Sequence, residues 1–107
     1  MTFSIVAKDL RTGAFGVATA TGGPVVGSLV PHARVGVGAI ATQGYTTNPL
    51  YGFEGLDLLA SGKTAKATVE QLVAADAGRE RRQCIAVGRD GGVHAWTGAE
   101  ILAYCGS

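Results

Sequence analysis

Hydrophobic and polar positions alternate over Phe3-Ser-Ile-Val-Ala7, and β-branched Ile5 and Val6 strengthen the reading of a strand. Asp9-Leu-Arg-Thr-Gly13 follows as a turn, and Ala14-Phe-Gly-Val-Ala-Thr-Ala20 returns as the second arm of a hairpin. Gly22, Gly23 and Pro24 open a loop that ends around Pro31. Small and aliphatic residues then alternate from Val35 to Thr42, as in a strand whose one face is crowded by another layer. A polar, turn-rich stretch runs from Gln43 to Tyr51. Helical spacing follows over Phe53–Ala60, with Gly62 placed to end it, and over Ala65–Ala75, with Thr64 placed to cap it. Gln83–Gly88 and Val93–Thr97 read as strands joined by a turn at Arg89-Asp-Gly-Gly92, while residues 98–107 follow no clear period.

The predicted order is three strands, two helices and two strands, without βαβ alternation. That order predicts an α+β fold with helices packed against a sheet face, not a doubly wound parallel sheet. The 107 residues fit one domain. Hydrophobic residues make up 47% and charged ones 16%, a globular composition with apolar surface to spare for a partner.

Charge removes some classes. The net charge is +1 and the cluster Arg79, Arg81 and Arg82 is interrupted by Glu80, so nucleic-acid binding gains no support. No apolar run is long enough to span a bilayer, and the start lacks a signal-peptide pattern, which predicts a cytoplasmic protein. Cys84 reads as a buried small hydrophobe, and Cys84 with Cys105 does not make a disulfide framework. His32 and His94 stand apart without paired ligands, so no metal is expected. No phosphate-binding glycine motif is present, and no cofactor is expected.

The segments Met1-Thr-Phe-Ser-Ile-Val-Ala-Lys-Asp9, Val30-Pro-His-Ala-Arg-Val-Gly-Val-Gly-Ala-Ile-Ala-Thr-Gln43, Asn48-Pro-Leu-Tyr-Gly52 and Gly55-Leu-Asp-Leu-Leu59 resemble the bacterial domain-of-unknown-function 1028 family. So does the stretch from Ala75-Asp76 to Arg81-Arg82-Gln83. The resemblance implies membership of the N-terminal-nucleophile (Ntn) hydrolases, whose architecture is a four-layer αββα sandwich. Residues 1–107 would then form its N-terminal part, either as a single domain or as an α-chain completed by further residues or a β-chain, and a homo-oligomer is expected. Members of the family are longer. The loop Thr21-Gly22-Gly23-Pro24 also replaces their usual Ser-Lys-aromatic segment.

Such a hydrolase attacks an amide with the side chain of its first residue and uses that residue's own α-amine as base. The amine titrates near pH 8, so it supplies free base at neutral pH without a histidine. The resemblance places Thr2 in this role once Met1 is removed; a retained Met1 would tie up the amine. A second candidate is the residue after Ser107, exposed at the start of a partner chain by self-cleavage after Ser107. His32 and Arg34 precede the third strand and are candidates to tune the nucleophile or bind a carboxylate; solvated strand-end residues are the alternative. Gln43, Gly44, Thr47, Asn48 and Tyr51, with Thr46, are candidates to orient an amide substrate, and a backbone N–H near Gly44 to hold the oxyanion. The alternative there is an Asn-Pro turn. The functional expectation is an amide-bond hydrolase acting on a small amide. A non-catalytic assembly or ligand-binding module is the other reading.

Overall fold

The computed structural model describes residues 1–101 and 104–107. Strands β1 (Thr2–Lys8) and β2 (Phe15–Thr21) pair antiparallel as a two-stranded sheet, with Thr2 opposite Thr21 and Lys8 opposite Phe15. The turn between them forms because Asp9 folds back on itself. Its Oδ1 accepts from the Arg11 N–H at 2.8 Å, and Gly13 supplies the positive φ of 75°.

The second sheet has the order β3 (Pro31–Arg34), β4 (Gly38–Gly44), β5 (Arg82–Gly88), β6 (Val93–Thr97), all antiparallel. One strand was expected from Val35 to Thr42, and here the structure differs. Val35, Gly36 and Val37 form the turn of a β3–β4 hairpin, with Gly36 at φ 71° and the Val35 side chain almost wholly exposed. Alternating Val and Gly looks like a strand, but only glycine enters the left-handed conformation that reverses the chain here. The loop expected to run to Pro31 likewise contains a 3-10 turn at Val26–Ser28.

Helices α1 (Leu50–Ala60) and α2 (Ala65–Ala74) cover one face of the large sheet. Helix α1 starts three residues earlier than its hydrophobic pattern suggests, because the Asn48 Oδ1 accepts from the Leu50 N–H at 3.1 Å. Gly62, at φ 100°, follows its last turn, and Thr64 Oγ1 caps α2 by accepting from the Ala67 N–H at 3.1 Å. Ile40, Leu56, Leu59, Val69, Leu72 and Cys84 fill the space between helices and sheet. On the opposite face, Val6, Ala39, Ala41 and Val87 join Phe15, Val17 and Ile85 between the sheet and the β1–β2 hairpin. Helices, sheet and hairpin thus stack in that order, a mixed α+β domain with two sheets and two helices.

Two contacts in the helix layer yield stability predictions. Helix α1 approaches β3 so closely that a Cβ at Gly52 would overlap the His32 ring. Gly52→Ala is therefore expected to destabilise the domain by about 1–3 kcal/mol, read by urea unfolding, despite alanine's better helix propensity. Thr68 of α2 is fully buried, and its hydroxyl has no hydrogen-bond partner among the described residues. Thr68→Val keeps the shape and removes that desolvated hydroxyl. The expected result is a stability gain of about 1 kcal/mol, measured the same way.

Candidate active site

Period-two alternation decides what faces what. On β1, Thr2, Ser4 and Val6 point toward the large sheet, while Phe3 and Ile5 point outward and stay 66% and 63% exposed. On the large sheet, Gln43 lies opposite Gln83, and Gln83 lies opposite Thr97, so all three share the hairpin-facing side. The inner faces of the two sheets are apolar at the Lys8 end and polar at the Thr2 end. A cavity of about 910 Å³ opens at the polar end, lined among others by Thr2, Ser4, Gln43, Gly44, Tyr45 and Gln83.

A continuous hydrogen-bond chain crosses this space. Ser4 Oγ donates to Gln43 Oε1 at 2.6 Å, and Gln43 Nε2 donates to Gln83 Oε1 at 2.8 Å. The second Gln43 N–H reaches the Thr2 carbonyl at 3.1 Å. Gln83 Nε2 then donates to Thr97 Oγ1 and to the Gly106 carbonyl, each at 3.1 Å. The two backbone carbonyls can only accept, which fixes which end of each glutamine faces which way. Both amides are held in one orientation.

Thr2 Oγ1 lies 3.0 Å from Thr21 Oγ1, and Thr21 Oγ1 also donates to the Met1 carbonyl at 3.1 Å. The segment Thr21–Pro24 therefore places one hydroxyl against Thr2. Ser4 and Thr19 repeat this pairing one step along the hairpin, at 3.0 Å. Gly44 lines the cavity at φ 133°, where a Cβ would run into the Arg81 carbonyl. A glycine is required there because the chain crosses so closely over β5.

The structure brings Thr2, Gln43 and Gly44 together and sets the other expected site residues elsewhere. His32 and Arg34 project from β3 to the helix side, the face opposite Thr2. The His32 ring meets Phe53 edge-on at 5.1 Å with Nε2 3.1 Å from the Leu29 carbonyl, and Arg34 pairs with Asp57 at 2.9 Å. Register parity explains the separation: His32 lies opposite Ile40, whose side chain belongs to the helix-side core. Thr47 and Asn48 belong to the entry into α1, and the Asn48 carbonyl accepts from Thr42 Oγ1 at 3.3 Å.

Tyr51 is buried and donates through its hydroxyl to Asp76 Oδ2 at 2.7 Å. The same oxygen receives Arg82 Nε at 3.0 Å, while Asp76 Oδ1 accepts from the Gly78 N–H at 2.8 Å. Burial and then the Asp76 hydrogen bond push the Tyr51 hydroxyl well above its usual range. Burial by itself would raise the Asp76 carboxyl. The hydrogen bonds from Arg82, Tyr51 and Gly78 outweigh it and hold that carboxyl at about 2. Arg82 also donates to the Thr46 carbonyl and hydroxyl, so this network ties the loop after Gly44 to β5. On the helix side of β5, burial pushes the Cys84 thiol up to about 12, consistent with a core residue that stays protonated.

Sequence reasoning passed over Gln83 and Ser4 as site residues. The signal was available in β5, where Gln83 is a polar residue on the inward side of Arg-Gln-Cys-Ile-Ala-Val. Its significance depends on facing Gln43, which is a matter of strand register. Among the described residues no group of three or more metal-ligating side chains occurs, and no helix is long and apolar enough to cross a membrane.

The architecture is that of an α+β domain with an open cavity between two sheets, where a polar hydrogen-bond relay meets apolar side chains. The chain belongs to the family of unknown function DUF1028, whose profile matches residues 2–107. A crystal structure of a protein of that family from Silicibacter pomeroyi superimposes with a TM-score of 0.92 at 37% sequence identity. The match covers 96% of this chain and 48% of that one, so the present chain spans about half the length of this relative. A search of curated proteins found no match.

Proposed function

We propose that the chain carries the nucleophile end of an Ntn-type amidohydrolase, with Thr2 as nucleophile after removal of Met1. The supporting observation is the placement of Thr2. It starts β1 with its hydroxyl on the inner face, at the edge of the cavity between the two sheets. In this reading the αββα sandwich is completed by residues or a chain outside the present one.

The freed α-amine takes the proton from Thr2 Oγ1 as that oxygen attacks the substrate's carbonyl carbon. The Thr21 hydroxyl, relieved of the Met1 carbonyl, is left to orient the Thr2 hydroxyl. The tetrahedral oxyanion is held by a backbone N–H near Gly44, and the amine returns the proton to the leaving nitrogen. Water then hydrolyses the threonyl ester by the same route in reverse. His32, Arg34, Thr47, Asn48 and Tyr51 take structural roles in this mechanism.

A second reading places the nucleophile on the residue after Ser107. Its support is that the Gly106 carbonyl is held at the same cavity by Gln83 Nε2. Intact mass measurement with N-terminal sequencing of the purified protein, before and after treatment with a β-lactone, decides between them. An adduct on a chain starting at Thr2 supports the first reading. An adduct on a separate chain starting with Thr, Ser or Cys supports the second. Retained Met1 with no adduct on any chain leaves only a non-catalytic assembly or ligand-binding module.

A further inference from the structure

We infer that the cavity selects uncharged carboxamide ligands, and that the side-chain amide of Gln83 receives a ligand carbonyl. The inference rests on the Thr2-centred reading for the reaction but concerns recognition, which can be measured without turnover. The first observation is the lining: among the described residues it includes no Asp, Glu, Lys, Arg or His side chain. A carboxylate, phosphate or ammonium ligand would give up its hydration there without gaining a fixed counter-charge. The α-amine at Thr2 titrates near pH 8 and carries a positive charge below it, so acid and amide are compared on protein whose α-amine is blocked by acetylation.

The second observation is that the site already holds a peptide carbonyl. Gly106 enters the cavity and its carbonyl accepts from Gln83 Nε2 at 3.1 Å, standing in for the carbonyl of an amide ligand. Gln83 cannot turn its oxygen to that position at low cost. Its Oε1 is pinned by Gln43 Nε2, and Gln43 is pinned in turn by Ser4 Oγ and the Thr2 carbonyl. The relay therefore presents a donor, and only a donor, to the open side of the cavity. Ile85, Tyr45 and Ile101 border the same space and would take an apolar substituent. The ligand class is thus a neutral acyl amide with an aliphatic or aromatic flank. To bind, it displaces the exposed Gly106 from Gln83.

The test titrates N-acetyl-leucinamide and N-acetyl-leucine separately into the ¹⁵N-labelled full chain, following the glutamine side-chain NH₂ resonances by NMR. The expected result is a saturable shift of the Gln83 NH₂ with the neutral amide, and binding of the acid about tenfold weaker or worse. Gln83→Glu turns the donor into an acceptor and should weaken the amide by about tenfold or more. Gln83→Asn, which withdraws the donor by one methylene, should do the same if the charged variant fails to fold. Equal binding of acid and amide, unchanged binding by either variant, or no saturable shift overturns the inference. Repeating the titration in Thr2→Ala separates the two proposals. Binding there, with no β-lactone adduct on the unmutated protein, removes the hydrolase reading and keeps the recognition site. An adduct on Thr2 without discrimination between amide and acid does the reverse.

Discussion

Thr2→Ala abolishes covalent labelling by a β-lactone and lowers amide hydrolysis by about a thousandfold or more if Thr2 is the nucleophile, since this one residue supplies both the attacking oxygen and the adjoining base. Ser4, Thr19 and Thr21 offer hydroxyls nearby, but none carries a free α-amine beside it, so none can take over. The fold should survive the change. Thr2 is half-buried at a strand end, and the deletion costs one hydroxyl contact with Thr21 at 3.0 Å, worth about 1 kcal/mol. Loss of labelling with a nearly unchanged unfolding midpoint is the expected pair of results. Thr2→Ser, which keeps the nucleophile and the amine, should retain labelling. Full labelling of Thr2→Ala would move the nucleophile elsewhere.

Asp76→Ala is expected to cost about 3–5 kcal/mol of stability, the largest loss anticipated from a single side chain outside the hydrophobic core. The side chains of Asp76 and Arg82 are 13% and 16% exposed and pair at 3.0 Å, so removing the acid leaves a poorly solvated guanidinium and an unpartnered Tyr51 hydroxyl. The effect reaches the cavity, because Arg82 also holds Thr46 and hence the loop that starts at Gly44. The same carboxylate gives a pH dependence of definite sign. Its carboxyl is depressed from an ordinary 3.8 to about 2 in the folded protein. Its contribution is therefore complete above pH of about 4 and lost as the pH falls toward 2, by about 2 kcal/mol. Urea unfolding midpoints should drop over that window in the parent protein. In Asp76→Asn this part of the drop should vanish, and a parent-like acid response in Asp76→Asn would overturn the assignment.

Much of the local structure was legible along the chain because it depends on near neighbours. The Asp9–Gly13 turn, the Thr64 cap and the Gly62 terminus use side chains within a few residues of the backbone they serve. The inward and outward faces of β1 followed from alternation. The β3–β4 reversal was not legible. Val35-Gly36-Val37 carries the same alternation whether it continues a strand or turns it, and the pairing of His32 with Ile40 decides between them. The separation of His32 and Arg34 from Gln43 was not legible for a related reason. His32 and Arg34 are close to Gln43 in sequence, yet register sends their side chains through the opposite face of the sheet.

By itself, then, the sequence determined the elements whose causes are local: periodicity, caps and glycine turns. Only the tertiary structure decided that Gln43 faces Gln83, that Ser4 and Thr2 close over them, and that Tyr51, Asp76 and Arg82 form one network. The physical reason is that a strand's side chains alternate with period two. A shift of one residue in pairing moves each of them to the other face, and no local pattern records which pairing the packed layers enforce.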